Sequence, residues 1–170
     1  MKNNVIFSIV NRNEVALCVN SSTGKYSKFS GATTSKAGLR VICKLLEAIS
    51  NDVDKYDSIT VLLPKNMGFI LRKESVYEWI NNGGVTGKGT KLDDEFIELC
   101  KYISDMRFWF IKNKIKVSFK MTGTTIMKPE EEIYMKKAWD LFDRVTGYKA
   151  NKRNIANKNS VKPEVPSFMR

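Results

Sequence analysis

The first thirty residues constrain the fold most strongly, because they hold three β-rich runs in succession with no room for a helix between them. The runs cover residues 5–10, 15–20 and 25–30, and the connections contain Asn11, Asn13 and Gly24, residues that favour turns. Connections of about four residues join antiparallel neighbours. The sequence therefore predicts an antiparallel meander of three strands at the start of the chain.

Helical and strand-like patterns alternate after this meander. Thr33, Thr34 and Ser35 offer capping oxygens, and apolar residues then follow at helical spacing as far as Ile49. The pattern predicts a buried strand at residues 58–63, a helix at 66–80, a long helix at 92–110, a strand at 115–121 and a final helix at 129–144. Apolar spacing also assigns most members of one set of aromatic residues to the core: Phe108, Trp109, Phe110 and Trp139. This order predicts an α/β domain.

Length and composition indicate one domain followed by a tail. A chain of 170 residues can bury a hydrophobic core, whereas residues 147–170 hold six of the basic residues and one acid, Glu164. We therefore expect a folded domain at residues 1–146 and a flexible basic tail at residues 147–170. The chain shows neither a membrane-spanning run nor a signal peptide, and its three separated cysteines indicate reduced thiols. These features predict a cytoplasmic protein with no membrane partner.

Charge is the property that says most about partners. The chain has 29 Lys and Arg against 18 Asp and Glu, a formal net charge of +11. An excess of this size favours polyanionic partners, and nucleic acid is the first candidate. The glycine-rich segment at residues 83–90 only half meets the spacing of a nucleotide-binding loop, so it predicts backbone phosphate contacts and no nucleotide cofactor.

Two local motifs add a family resemblance to this order of elements. Residues 75–83 read Ser-Val-Tyr-Glu-Trp-Ile-Asn-Asn-Gly and precede the basic segment, and Leu-Glu-Ala-Ile at residues 46–49 ends the first helix. With the order of strands and helices, these motifs resemble the ribonuclease H family over most of residues 4–144. The resemblance implies a ribonuclease H-like mixed sheet, in which three antiparallel strands are followed by crossover strands, with helices on both faces.

The same resemblance implies where catalytic residues should lie, and the chain departs from the family there. Activity in the family rests on carboxylates that hold two magnesium ions. The matching positions carry Ile9 or its neighbours, Gly38, Asn66 and Met135, and the chain has no histidine. We therefore expect no catalytic residues, no metal and no cofactor. The acids at residues 93–98 and 130–132 are interpreted as helix starts, where negative charge is favourable.

The function predicted from these observations is non-catalytic binding of RNA, DNA or a hybrid with little sequence specificity, in a viral or phage accessory factor. The predicted contacts are ten residues, which lie after the strand at 58–63, near the end of the helix at 66–80, and in the loop, the last strand and the tail: Lys65, Lys88, Lys91, Lys114, Lys116, Lys120, Lys149, Lys152, Arg153 and Trp79. One alternative is a protein-interaction module that acts on a host factor. Another is a metal-dependent nuclease with displaced ligands, such as Glu14, Glu47 or Asp140.

Overall fold

The computed structural model describes residues 3–31 and 33–147. Five strands are formed: β1 (Asn3–Arg12), β2 (Val15–Asn20), β3 (Tyr26–Ser30), β4 (Tyr56–Leu63) and β5 (Lys116–Met121). Four α-helices accompany them: α1 (Thr34–Ser50), α2 (Lys73–Asn81), α3 (Asp94–Lys112) and α4 (Pro129–Thr146). Short 3-10 helices cover Val53–Lys55 and Lys65–Leu71. Within the described ranges, no helix has the length and apolar character needed to cross a membrane.

The strands form one mixed sheet in the order β3-β2-β1-β4-β5. The β1, β2 and β3 strands are antiparallel neighbours, which confirms the predicted meander, and β1, β4 and β5 are parallel. Parallel neighbours require crossover connections, which the helices supply. This topology is the ribonuclease H-like fold expected from the sequence.

Apolar side chains of the sheet are divided between its two faces, because successive residues of a strand point in opposite directions. Phe7 and Ile9 of β1 belong to a large cluster that includes residues of α1 and α3. Val10, one residue further on, belongs to a second cluster with Met135 and Phe142 of α4. Helices α1 and α3 therefore cover one face, and α4 covers the other.

The helix predicted at residues 66–80 is wrong as a single element. The chain instead forms the 3-10 helix Lys65–Leu71, leaves helical geometry at Arg72 (φ −93°, ψ 70°), and starts α2 at Lys73. Met67 and Ile70 are both buried, and their spacing of three residues matches the period of a 3-10 helix. Tertiary packing thus selects the tighter helix here.

The three cysteines are free thiols inside or partly inside the protein. Cys18 and Cys100 are buried and Cys43 is half-buried, and no disulfide links them. Burial raises the pKa of each thiol to about 12. These thiols stay protonated at neutral pH and are therefore poor nucleophiles and poor metal ligands.

Candidate nucleic-acid interface

The carboxyl ends of β1, β4 and β5 meet at one edge of the sheet, beside the start of α1. This is the edge where the family resemblance would put metal-binding carboxylates. Gly38 of α1 is buried there, and an ideal Cβ on it would lie 2.7 Å from Met67 Sδ and 2.9 Å from Asn11 Nδ2. Both distances are shorter than ordinary contacts, so a larger side chain at this position requires its neighbours to move.

Asn11 fixes this edge from the end of β1. Its side chain is 1% exposed, and Nδ2 donates a hydrogen bond of 3.0 Å to the Thr34 carbonyl oxygen, which ties β1 to the first turn of α1. The Asn11 Oδ1 atom is buried with no hydrogen-bond partner. A neutral amide and a thioether therefore occupy the space around Gly38.

The other matched positions do not supply metal ligands either. Ile9 and Met135 are buried among apolar side chains, and Asn66 is an exposed amide in the 3-10 helix. In residues 3–31 and 33–147, no three His, Cys, Asp or Glu side chains lie close enough together to hold a metal ion. The residues present at this edge do not fit a two-metal centre, whose ions need converging carboxylates about 4 Å apart.

The first acidic segment is used to start α3 and to pair with α1. Asp93 is the N-cap of α3 and accepts a hydrogen bond of 3.1 Å from the Phe96 N–H, which confirms the interpretation of this segment as a helix start. The Lys36 ammonium, 2.9 Å away, lowers the pKa of Asp93, and the Arg40 guanidinium lowers the pKa of Glu95. Lys36 and Arg40 are therefore neutralised within the protein.

The second acidic segment starts α4 and holds the end of β5. Glu131 is 3% exposed, and its carboxylate accepts from the backbone N–H of Lys128 at 2.8 Å and from Lys120 Nζ at 3.1 Å. Hydrogen bonds from Thr122 Oγ1 (2.5 Å) and the Gly123 N–H (2.8 Å) lower the pKa of Glu132. Both carboxylates therefore link the end of β5 to the start of α4. Their position in the first turn of α4 confirms the interpretation of this segment as a helix start.

The basic loop between α2 and α3 is built on glycines with positive φ. Gly83 (φ 68°), Gly84 (φ 87°) and Gly89 (φ 84°) allow the reversals, and Val85 pairs with Lys91 in an isolated bridge. Lys91 Nζ lies 3.1 Å from Asp94 Oδ1. The charge of Lys91 is thus partly compensated by an exposed acid.

Two of the predicted lysines are exposed outside β5. Lys88 projects from the loop, and Lys65 follows Pro64 at the carboxyl end of β4. Lys88 forms no ion pair with a described residue, whereas the charge of Lys65 adds to the lowering of the Glu132 pKa. The Lys65 side chain lies beside Gly123, where an ideal Cβ would be 3.2 Å from Lys65 Cε. A glycine at position 123 therefore avoids a close contact with this lysine.

The continuous basic face predicted for the last strand is wrong in part. Lys114 lies in the turn between α3 and β5 and has a φ of 59°. The next residue, Ile115, is buried in the core. Lys120 is in the strand, but its ammonium is held by Glu131. Lys116 is the member of this set that is both in β5 and exposed without an ion pair to a described residue.

Aromatic residues near the loop divide into packed and exposed ones. The Trp79 ring lies 6.4 Å from Phe69 and 6.3 Å from Phe96 and is partly buried against the core, so its stacking on a base stays a prediction. Phe108 is 55% exposed and stacks on Tyr77 at 6.3 Å, so it is a member of the set that core packing does not explain. Phe110 is fully buried, as predicted.

The predicted contacts do not form one site. Val117 and Phe119 point into the cluster beneath α1 and α3, so Lys116 and Lys120 point to the α4 side. On the opposite side, Trp79 packs on Phe96 of α3, and an ideal Cβ on Gly84 of the loop would lie 3.3 Å from Ile97 of the same helix. Three predicted tail contacts lie outside the described residues: Lys149, Lys152 and Arg153.

Comparison with known proteins gives structural similarity alone. No protein-family model matches the sequence, and no curated protein matches it. The structure is similar to RNase H1 from the halophilic archaeon Halobacterium salinarum, with 12% identity over 81% of this chain and 98% of that chain, and a TM-score of 0.40. It is also similar to the foamy viral protease-reverse transcriptase in complex with dsDNA, with 16% identity over 78% and 87% of the two chains, and a TM-score of 0.43. The order and direction of the strands define the ribonuclease H-like fold of this chain.

Proposed function

We propose that this protein binds nucleic acid and does not cleave it. The observation that carries the proposal is the edge around Gly38, where Asn11 and Met67 fill the space at a position that the family resemblance assigns to a catalytic carboxylate. Without converging carboxylates, the residues of the edge have no means to hold two metal ions in the arrangement that cleavage needs.

The binding part of the proposal is supported by exposed cations. Lys88 and Lys116 are exposed and form no ion pair with a described residue, Lys65 is exposed at the carboxyl end of β4, and the chain has a formal net charge of +11. Such cations bind phosphates by releasing the counter-ions that surround a nucleic acid. Because contacts to phosphates do not depend on sequence, we infer binding with little sequence specificity to RNA, DNA or a hybrid. A viral or phage origin and a cytoplasmic location stay predictions from the sequence.

Fluorescence anisotropy with labelled oligonucleotides tests the binding. Affinity should fall steeply as salt rises from about 50 to 200 mM, and it should depend little on sequence. Lys88→Gln should weaken binding, whereas Lys25→Gln, which removes the same charge from the β2–β3 turn, should not. Absence of binding at low salt, or binding that salt does not affect, contradicts the proposal.

Incubation with Mg²⁺ or Mn²⁺ tests the lack of cleavage. We expect RNA, DNA and hybrid substrates to remain intact. Metal-dependent cleavage that disappears on mutation of Glu14, Glu47 or Asp140 would instead establish a nuclease with displaced ligands. In the structure Glu14 lies in the β1–β2 turn, Glu47 pairs with Lys44, and Asp140 is exposed on α4, so the three carboxylates lie on different elements.

A second candidate, a protein-interaction module, is favoured by the apolar surface of α3. Phe108 is 55% exposed, and Ile111, one turn further on, is 70% exposed. Exposed apolar side chains that lie together are typical of protein contacts. Under this candidate, Phe108→Ser with Ile111→Ser abolishes partner binding and leaves oligonucleotide affinity unchanged. If the protein binds no oligonucleotide at low salt, this candidate replaces the first.

A further inference from the structure

A polar surface covers part of the sheet on the α4 side. The register aligns Asn4 with Ser58 and Ser58 with Lys116 across β1, β4 and β5, and the next row on the same face contains Thr60 and Ser118. We call these five residues the polar face. Their common direction follows from the alternation of each strand, because Ile59, Val61, Val117 and Phe119 point into the cluster beneath α1 and α3.

The polar face is unusual for parallel strands. Parallel strands are normally covered on both faces and carry apolar side chains on both. Here α4 packs on β1 and β2, and the described helices leave Asn4 and Lys116 exposed and Ser58 and Ser118 half-exposed. Thr60 is buried beside Ile6 of the second cluster. The other four residues of this face are therefore suited to contact with water or a polar ligand rather than an apolar layer.

Hydrogen bonding on this face leaves donors available. Ser58 Oγ donates to Asn4 Oδ1 at 2.8 Å, which fixes the amide and leaves its N–H groups without a partner among the described residues. Lys116 Nζ adds an ammonium with no ion pair to those residues, and Ser118 adds a hydroxyl. A row of an amide, a hydroxyl and an ammonium is suited to phosphate oxygens.

The charge of this face is positive. Asp57 is exposed in β4, at the register shift with β1, and forms no ion pair with Lys116. The Glu131 carboxylate is buried and bound to Lys120 and to the Lys128 N–H. Lys116 therefore forms no ion pair with a described carboxylate of β4 or of the start of α4.

We propose that the polar face binds the phosphodiester backbone of single-stranded nucleic acid. The inference rests on the proposed function and makes it more specific. The basic loop with Lys88 lies on the α3 side of the sheet and Lys116 lies on the α4 side, so a ligand that contacts both must pass around the β5 edge. A duplex is stiff over about 50 nm and cannot bend so sharply around one strand, whereas a single strand can.

The test compares single-stranded and duplex oligonucleotides of about 20 nucleotides by fluorescence anisotropy at several salt concentrations. The natural protein should bind the single strand at least about tenfold more tightly than the duplex, because the single strand uses both sides of the sheet. Lys116→Gln should weaken single-strand binding about fivefold and reduce the salt slope by about 0.7, the value for one phosphate contact on a single strand. Duplex binding should not change in this variant.

Lys25→Gln is the matched control, because Lys25 is exposed in the turn that leads into β3, the opposite edge strand of the sheet. It should leave single-strand affinity within about twofold of the natural protein. Amide NMR spectra give a second readout: the single strand should shift the side-chain amide of Asn4 and the backbone amides of Ser58 and Ser118.

The outcomes separate this inference from the proposed function. If Lys88→Gln weakens binding but Lys116→Gln behaves like Lys25→Gln, the protein binds nucleic acid without the polar face, and the inference is wrong. Equal affinity for single strand and duplex also overturns it. If neither oligonucleotide binds at about 50 mM salt, the proposed function itself fails.

Discussion

Replacing Glu131 with Gln should destabilise the fold through the junction of β5 and α4. The carboxylate is 3% exposed, and both of its oxygens lie 3.1 Å from Lys120 Nζ. Its Oε1 also accepts from the Lys128 N–H at 2.8 Å. Glutamine keeps the shape and can keep the Lys128 contact, but it leaves the Lys120 ammonium without its counter-charge.

The magnitude follows from the burial of the two partners. Removing one member of a buried ion pair typically costs about 3–5 kcal/mol, because the other charge stays desolvated. The Lys120 side chain is 20% exposed, so water relieves part of this penalty and the lower end, about 3 kcal/mol, applies. In a domain of this size, each kcal/mol lowers the melting temperature by about 2–4 °C, which gives a decrease of about 6–12 °C.

Thermal and urea unfolding followed by circular dichroism measure this change. Glu130→Gln is the matched control, because Glu130 is exposed in the same first turn of α4 and should contribute less than about 1 kcal/mol. Adding Lys120→Met to Glu131→Gln should restore most of the lost stability, since the unpaired ammonium is removed. Equal melting temperatures for the Glu131 and Glu130 variants would refute the reasoning.

Three further predictions concern other parts of the chain. Arg40 lowers the pKa of Glu95 in the folded state. The contribution of the Arg40–Glu95 pair to stability is therefore complete at neutral pH and is lost as pH falls below about 4. Glu95→Gln should reduce this acid sensitivity, which unfolding measured from pH 7 to pH 3 would show. Gly38→Asp should lower stability by about 1–3 kcal/mol through its clash with Met67, and nuclease assays should show no gain of metal-dependent cleavage. Ending the chain after Gly147 removes six basic residues and one acid, so oligonucleotide affinity and its salt slope should both decrease.

Much of the fold could be predicted because local patterns and tertiary structure agree. The short turns predicted the meander, and Thr33 caps α1 as its position suggested, accepting from the Lys36 N–H at 3.1 Å. The break at Arg72 could not be predicted from apolar spacing, because residues 66–80 contain no strong helix breaker after Gly68. The burial of Met67 and Ile70 against elements distant in sequence determines that this segment begins as a 3-10 helix.

The candidate site was less predictable, because it depends on which strands become neighbours. Alternation alone indicated a basic face on β5, yet the ion pair that occupies Lys120 requires Glu131 to be buried beside it. The alignment of Asn4 with Ser58 joins residues far apart in the chain, and the register of a parallel pair is not encoded in either strand. The exposure of Phe108 likewise depends on how α2 and α3 pack.

The central position of β1 has a consequence for how the chain folds. On one side β1 pairs with β2 through a turn made by Asn13 and Glu14, so these contacts close almost without loop entropy. On the other side it pairs with β4 across some fifty residues, as the Asn4–Ser58 pair shows. Non-local pairing is the slow step in folding. We therefore expect the meander to form first as the template on which β4, and then β5, are added.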